Sequence, residues 1–279
     1  MAKLLEGRSV AEKIKEEIRI KVQSLKKPPV LASILIGDNP GAITYVNSQT
    51  KAAESLGIVY KLFKLDQDIT EEALIDFICK LNADNTVNGI IVQMPISQHI
   101  DYKKIAEFIS PLKDVEGMHP ENMGKVLFGR TRIVACTASA IMELLNSTGL
   151  DLYGKEVVIV GHSEIVGKPL TLLLLEKFAT VTVCHIGTSK AGKLEEHVRH
   201  AEVLIVAVGQ VGLIKGDWIK EGAIVIDVGI NRVGDKILGD VEFEAAQKRA
   251  AYITPVPGGV GPLTVTVLMR NLVEAARLQ

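Results

Sequence analysis

Cysteine is scarce here: Cys79, Cys136 and Cys184 are the only three in 279 residues. They are odd in number and far apart, which makes a poor disulfide framework and suits a reducing compartment. No CxxC and no HExxH occurs, so no metal site is visible in the sequence. Net charge is missing as well. Lys and Arg number 32 against 33 Asp and Glu, a formal balance of −1. That leaves no bulk attraction to nucleic acid or to an anionic membrane surface. Long apolar runs are lacking: Leu172 to Leu175 with its neighbours is far too short to cross a bilayer. The opening MAKLLEGRSVAEKIKEEI reads as an amphipathic helix and not as a signal peptide. These absences predict a cytoplasmic protein with no metal, nucleic-acid or membrane partner.

What is present is the composition of a globular protein, 47% hydrophobic and 23% charged. The length fits one large domain or two ordinary ones. Ser9 and Glu12 form a capping-box pattern ahead of Val10, Ile14, Ile18, Val22 and Leu25 at near-helical spacing. Pro28 and Pro29 end that helix. VLASILIG (30–37) reads as a buried strand, 41–56 as a helix stopped by Gly57, and VYKLFKL (59–65) as a strand. Thr70, Glu71 and Glu72 start a helix through Leu81, and GIIVQMP (89–95) is the next strand. Residues 97–136, rich in charge, Pro and Gly, read as irregular active-site loops, followed by a helix from Thr137 to Asn146. A second series follows: strands EVVIV (156–160), TVTVC (180–184), VLIVAV (203–208), AIVIDV (223–228) and AYITPV (251–256), then a last helix from about Leu263 to Leu278. Repeated β-α alternation predicts an α/β protein of two domains, each a mainly parallel sheet with flanking helices, the second Rossmann-like. The expected boundaries are 1–138 plus 263–279 for the first domain and 139–262 for the second.

In VVIVGHSEIVGKP, Gly161 follows a buried strand and Gly167 opens a helix. Glycines there let backbone approach a pyrophosphate, and a helix N-terminus offers it free N–H groups. The GxGxxG fingerprint is absent, so this spacing is equally ordinary turn chemistry. Further strands also end in Gly or polar residues, at Cys184-His185, Val208-Gly209 and Asp227-Val228-Gly229. Ligands sit outside the carboxyl ends of such strands, which favours a nucleotide site. His185 is a ligand contact or a solvated loop residue, and Cys184 is a small buried residue more readily than a nucleophile. In the first half, Tyr45 and Gln49 lie four apart on one helix face. Tyr45 is either a stacking platform for a planar ligand or an ordinary half-buried tyrosine. Gln93 ends a buried apolar strand, where its amide needs a partner or a ligand. Asp114 and Glu116 fall in a charged loop, which is usually solvated. TPVPGGVGPLT (254–264) is a shaped loop before a helix and not a random linker.

These segments carry a resemblance. YVNSQTKAAESLGI, GIIVQMPISQHI, SPLKDVEGMHPENMGKV, VVIVGHSEIVGKP and TPVPGGVGPLT match, in order and spacing, motifs of the methylenetetrahydrofolate dehydrogenase/cyclohydrolase family over nearly the whole chain. The resemblance implies two domains with a cleft, a dinucleotide (NADP or NAD) in the second domain, a tetrahydrofolate derivative in the cleft, and a homodimer. It implies oxidation of 5,10-methylenetetrahydrofolate, then hydrolysis of the methenyl cation to 10-formyltetrahydrofolate. It assigns catalysis to Tyr45, Gln49 and Gln93, and substrate binding to Tyr45, Glu116, Pro257, Gly258 and Gly259. Cofactor contacts fall to Gly161, His162, Ser163, Ile165, Val166, Gly167, His185, Gly209 and Ile230. The chain also departs from the family. Gln49 stands where the family has a lysine four residues after its tyrosine, and Lys51 lies about 200° around the helix from there. Glu116 replaces the pterin-holding aspartate. Ala135-Cys136-Thr137-Ala138-Ser139-Ala140 replaces Pro-Cys-Thr-Pro-x-Gly, and Gly161-His162-Ser163 replaces Gly-Arg-Ser.

An amide can hydrogen-bond but cannot exchange a proton as an ammonium does. The expectation is therefore a dehydrogenase whose cyclohydrolase activity is impaired. The alternative is a folate- or nucleotide-binding paralogue acting as a sensor or partner subunit, and a minor reading is action on another reduced pterin. A histidine is a weaker phosphate partner than arginine near pH 7, so the 2′-phosphate site of NADP reads as weakened.

Overall fold

The largely apolar run Val30–Ile36 is the centre of one sheet. It pairs in parallel with Val59–Leu65 on one side and Gly89–Val92 on the other. The computed structural model describes residues 1–130, 133–234 and 236–279. It divides into two compact units, Met1–Glu12 with Thr137–Thr264 and Lys13–Cys136 with Val265–Gln279. Each strand of the three-stranded unit alternates its side chains between two faces. Ala32, Ile34, Ile36, Ile90 and Val92 share a core with Leu74, Ile78 and Leu81 of the helix Glu71–Ala83. Ile78 has no exposed surface, and truncating such a side chain to alanine costs about 2–5 kcal/mol. The helix starts where Thr70 accepts a hydrogen bond from the Ala73 N–H, with Glu71 and Glu72 in its first turn.

In the other unit, six strands run in the order Lys3–Leu4, Tyr252–Ile253, Ile224–Asp227, Val203–Val206, Glu156–Val160, Thr180–Cys184, every pair parallel. Val203–Val206, between Ile224–Asp227 and Glu156–Val160, is apolar throughout because both faces are covered. Val158, Val160, Leu204, Val206 and Val225 pack with Leu194, Val198 and Ile219. Glu156–Val160 is flanked by a strand that follows it directly and by one that follows later in the chain. This reversal of order opens a crevice at the carboxyl ends of such strands.

Several expectations are corrected. Met1 to Glu6 is not helical: Lys3–Leu4 pairs with Tyr252–Ile253, so residues 1–12 group with the six-stranded unit. The helix Gly7–Gln23 starts before Ser9, whose hydroxyl donates to the Glu6 carbonyl, so Ser9 is no N-cap. The segment 97–136 holds two short helices, Tyr102–Phe108 and Pro120–Leu127. Asp101 caps the first, and His119 caps the second with Pro120 in its first turn. A hairpin of Asn231–Val233 and Lys236–Leu238 was not foreseen. The strands expected at 203–208 and 251–256 stop at Val206 and Ile253. The last helix begins at Val260. Its Gly and Pro residues fall in the first turn, where a missing N–H leaves no intrahelical bond unmade.

Candidate functional site

Tyr45, Gln49, Gln93 and Glu116 all fall in the three-stranded unit. Helix Pro40–Ser55 is started by Asn39, whose side chain accepts from the N–H groups of Gly41 and Ala42. Its inner face carries Ala42, Val46, Gln49 and Ala53. Gln49 is fully buried and Tyr45 half-buried one turn earlier. Lys51 is exposed and takes no part in this face.

The Gln49 amide belongs to a closed polar network. Its Oε1 accepts from the Tyr60 hydroxyl at 2.7 Å and from Gln93 Nε2 at 2.8 Å. Gln93 Nε2 also donates to Ser33 Oγ at 3.0 Å, and Gln49 Nε2 donates to Gln93 Oε1 at 3.4 Å. Ser33 hydrogen-bonds Tyr60 in turn. Burial pushes the Tyr60 hydroxyl up to about 12, with Ser33 pulling the other way. Every member is therefore neutral at physiological pH. Buried polar groups paired this completely make a rigid, specific core element.

Glu116 has different surroundings. It keeps part of its surface exposed, and its Oε2 meets the Tyr102 hydroxyl at 3.4 Å. Burial first, and then the negative charge of Asp114, push its carboxyl up to about 8, while the Tyr102 hydrogen bond opposes this. Tyr45 is shifted in the same direction. That phenol lies far above its ordinary range through burial first, then through Cys136 and Glu116. The loop that presents Glu116 is held from several sides. Asp114 accepts from the N–H groups of Met118 at 3.2 Å and His119 at 2.8 Å, and from Asn122 Nδ2 at 2.9 Å. Asn271 Nδ2 donates to the carbonyls of Val115 at 2.9 Å and Val134 at 3.0 Å. Gly117 has φ +72°, and a Cβ there would lie 2.6 Å from the Ala135 nitrogen, so only glycine fits. His119, in the same loop, accepts the Glu121 N–H at Nδ1 and serves as a cap.

The six-stranded unit has its own cavity, about 490 Å³, at the carboxyl ends of its strands. Gly161, His162, Ser163, His185, Ala207 and Val208 line it, with Lys168 and Gln210. Gly161 has φ +124°, and a Cβ on it would meet the Ala207 oxygen at 2.4 Å. Gly167 packs so closely on this turn that its Cβ would lie 2.1 Å from the Gly161 oxygen. The helix Gly167–Leu175 follows directly, with its Lys168 N–H donating to the Ser163 carbonyl at 3.0 Å and Pro169, which has no N–H, in its first turn. A glycine turn, a helix N-terminus and a parallel-sheet crevice fit a dinucleotide. The rings of His162 and His185 lie 5.2 Å apart, and His185 Nδ1 accepts the Gly187 N–H as the cap of the next helix. Ile165 and Ile230 are exposed and Val166 and Gly167 buried. These four and Gly209 are not among the residues facing the cavity. Pro257, Gly258 and Gly259 belong to this same unit, where the Gly7 N–H donates to the Gly258 carbonyl at 3.0 Å.

Residues overlooked in the sequence shape both places. Tyr60 and Ser33 set the Gln49 amide, and Tyr102 and Asn271 act at Glu116 and its loop, beside the Asp114 already noted in the sequence. Asp240, fully buried, accepts from the N–H groups of Val208 at 2.8 Å, Gly209 at 3.0 Å and Gln210 at 2.8 Å, and from Asn231 Nδ2 at 2.8 Å. It thereby fixes the backbone of Val208 and Gln210, which line the cavity. A Ser inside an apolar strand and an Asp after a hairpin were the only sequence signals available. Among the described residues no cluster of three or more His, Cys, Asp and Glu is placed to hold a metal, and no helix is long and apolar enough to cross a membrane.

Known proteins resemble the chain along its whole length. Residues 5–116 match the model of the tetrahydrofolate dehydrogenase/cyclohydrolase catalytic domain, and residues 135–279 that of the NAD(P)-binding domain. The bifunctional protein FolD of Bacillus pumilus is 49% identical over 280 residues, covering 99% of this chain and 98% of that protein. The crystal structure of the bifunctional methylenetetrahydrofolate dehydrogenase/cyclohydrolase FolD from Campylobacter jejuni has a TM-score of 0.95 at 46% identity, covering 100% of this chain and 99% of that one. That of Trypanosoma brucei FolD, complexed with NADP and an inhibitor, has a TM-score of 0.94 at 39% identity, covering 99% and 98%. Glycine turn, parallel sheets and both family models agree, and the chain belongs to the tetrahydrofolate dehydrogenase/cyclohydrolase family.

Proposed function

We propose that this protein is an NAD(P)-dependent 5,10-methylenetetrahydrofolate dehydrogenase whose cyclohydrolase activity is strongly reduced by Gln49. The observation that carries the second half is the network around Gln49. Its amide is buried among Tyr60, Gln93 and Ser33, all neutral, where the family's pattern has a lysine. Hydrolysis needs a group that takes and returns a proton at the attacking water. Oxidation needs mainly position, because the dinucleotide, when bound, supplies the hydride acceptor.

In this reading the unit of residues 13–136 and 265–279 binds the folate. Tyr45 gives a planar surface, and Glu116 faces the pterin N–H groups. The six-stranded unit takes the dinucleotide at Gly161, His162, Ser163 and His185, with Ile165, Val166, Gly167, Gly209 and Ile230 contributing as the family's pattern assigns them. His162 in place of arginine lowers discrimination for NADP. Family membership also supports a homodimer in the cytoplasm, checked by sedimentation and by fractionation. A folate-binding paralogue without catalysis is not favoured by relatives this similar over the full chain.

The test is spectrophotometric: purified protein, 5,10-methylenetetrahydrofolate, and NAD or NADP. Formation of reduced nucleotide with either is expected. No reduction with both overturns the reading.

A further inference from the structure

In doubly wound parallel sheets the ribose 2′ position of a dinucleotide lies at the end of the second strand, about 20 residues beyond the glycine turn. A carboxylate there accepts from a free 2′-hydroxyl, and a cation there takes a 2′-phosphate. Here the strand that follows the glycine turn, Thr180–Cys184, ends at His185. His185 and His162 both line the 490 Å³ cavity, with ring centroids 5.2 Å apart. The 2′ position therefore falls against a pair of imidazoles. The two fixed charges of the lining, Glu164 and Lys168, are bound to each other at 2.8 Å. Segments 186–194 and 207–213 bring no charged side chain to the lining, and Asp240, behind the 208–210 backbone, is occupied by its N–H groups. The two rings are not equivalent. His185 Nδ1 accepts the Gly187 N–H at 3.1 Å as a helix cap, so the neutral ring carries its proton on Nε2. Charging that ring would set an N–H against the Gly187 N–H and break the cap. The His162 ring is exposed and makes no hydrogen bond among the described residues. Two imidazoliums this close repel, so one ring at a time is charged, and His162 is the one free to be so.

We propose that His162 and His185 form a proton-gated subsite for the ribose 2′ position: NADP binding takes up a proton at His162, and NAD binding takes up none. The inference rests on the dinucleotide reading of this unit and adds how the site tells the two cofactors apart. A phosphate monoester is largely a dianion above its second ionisation at about 6. An imidazolium gives it a charge-assisted hydrogen bond that a neutral ring cannot. His185 stays neutral and offers its Nε2–H to the same group. The free 2′-hydroxyl of NAD carries no charge, so it leaves His162 in the state that solvent sets. The NADP complex thus holds a proton that the free protein lacks near neutrality. NADP affinity then falls as pH rises, across the range in which histidine changes charge, and NAD affinity does not.

The test is titration calorimetry of NADP and of NAD into the full-length protein near pH 7.5, in Tris and in HEPES. The two buffers differ in ionisation heat, so the difference in binding heat counts the protons exchanged. The parent is expected to take up about half a proton or more with NADP and none with NAD. Its NADP affinity is expected to fall by about tenfold from pH 6.5 to pH 8.5, and its NAD affinity by less than about threefold. His162→Gln keeps a neutral hydrogen-bonding side chain and is expected to abolish the uptake and flatten the NADP profile. His185→Asn keeps an acceptor for the helix cap and is expected to retain the uptake. Both side chains are exposed, so neither substitution disturbs the core. NADP binding without proton uptake overturns the proposal, and so does equal uptake with NAD. Uptake that survives His162→Gln but is lost in His185→Asn overturns the assignment to His162. Failure of the parent to bind either nucleotide overturns the dinucleotide reading itself.

Discussion

The Tyr60 hydroxyl donates to Gln49 Oε1 at 2.7 Å, tying the neighbouring strand Val59–Leu65 to the helix position where the family pattern has a lysine. With Gln93 Nε2 filling the other acceptor site at 2.8 Å, the carboxamide has one favoured orientation. Flipping it would set its NH₂ against the NH₂ of Gln93, two donors face to face. Tyr60→Phe leaves the Ser33 hydroxyl and Gln49 Oε1 short of a partner in a buried site. A stability loss of about 1–3 kcal/mol is expected, read by urea denaturation. A change within error of zero would show that the ring closes through water instead.

Gln49→Lys puts an ammonium into this neutral network. Tyr60 Oη and Gln93 Oε1 are its acceptors. The melting temperature is expected to fall at pH 7, since burying the charge costs more than these neutral acceptors return. Methenyltetrahydrofolate hydrolysis is expected to rise by about 10²–10⁴ with little change in dehydrogenase kcat. Both half-reactions are assayed beside the parent. A parent that already hydrolyses well, with no gain from the lysine, would contradict the role assigned to this position.

Glu116 also makes stability depend on pH. Its carboxyl lies near 4.5 in the unfolded chain and about 8 when folded. The folded state thus binds the extra proton between those values. The stability from this group is fully present below about 4.5 and is lost as pH rises through 8. The melting-temperature difference, Glu116→Gln minus parent, should therefore grow from pH 5 to pH 9. A difference that is flat over that range would show that the carboxyl is not raised.

Cofactor choice is tested at His162. The parent is expected to use NAD comparably to or better than NADP, with NADP favoured by less than about a hundredfold in kcat/KM at pH 8. His162→Arg supplies a fixed charge in a planar fork suited to phosphate. A charge-assisted bond of about 1.5–3 kcal/mol corresponds to a shift toward NADP of about 10–100-fold. An unchanged ratio would place the 2′-phosphate away from residue 162.

Asp240 offers a test of the cavity wall. Asp240→Asn turns one of its two oxygens into a donor facing the N–H groups of Val208, Gly209 and Gln210. The loop must then rearrange. An increase of about tenfold in nucleotide KM, with folate KM unchanged, is expected from a lost positioning interaction of about 1.4 kcal/mol. Equal effects on both would mean that the substitution acts through general destabilisation.

Local pattern was enough for the α/β class, for most of the strands and for the long helices, because period and capping are properties of neighbouring residues. Thr70 before Glu71 and Glu72, or the apolar run 156–160, carry that information within one turn or one strand. The same locality explains the failures. Lys3–Leu4 is a strand only because Tyr252–Ile253 lies beside it, some 250 residues on by sequence number. The short helices at 102–108 and 120–127 are too brief for a periodic signal and depend on their caps. At the site, the sequence determined that Gln49 is no proton carrier and that Gly161 sits between strand and helix. Only the tertiary structure decided that Gln49 is sealed among Tyr60, Gln93 and Ser33, and that Asp114 is spent on its loop while Glu116 is not. Those outcomes come from hydrogen-bond partners and burial contributed by distant segments, and the ionisation of a carboxyl follows its surroundings and not its neighbours in the chain.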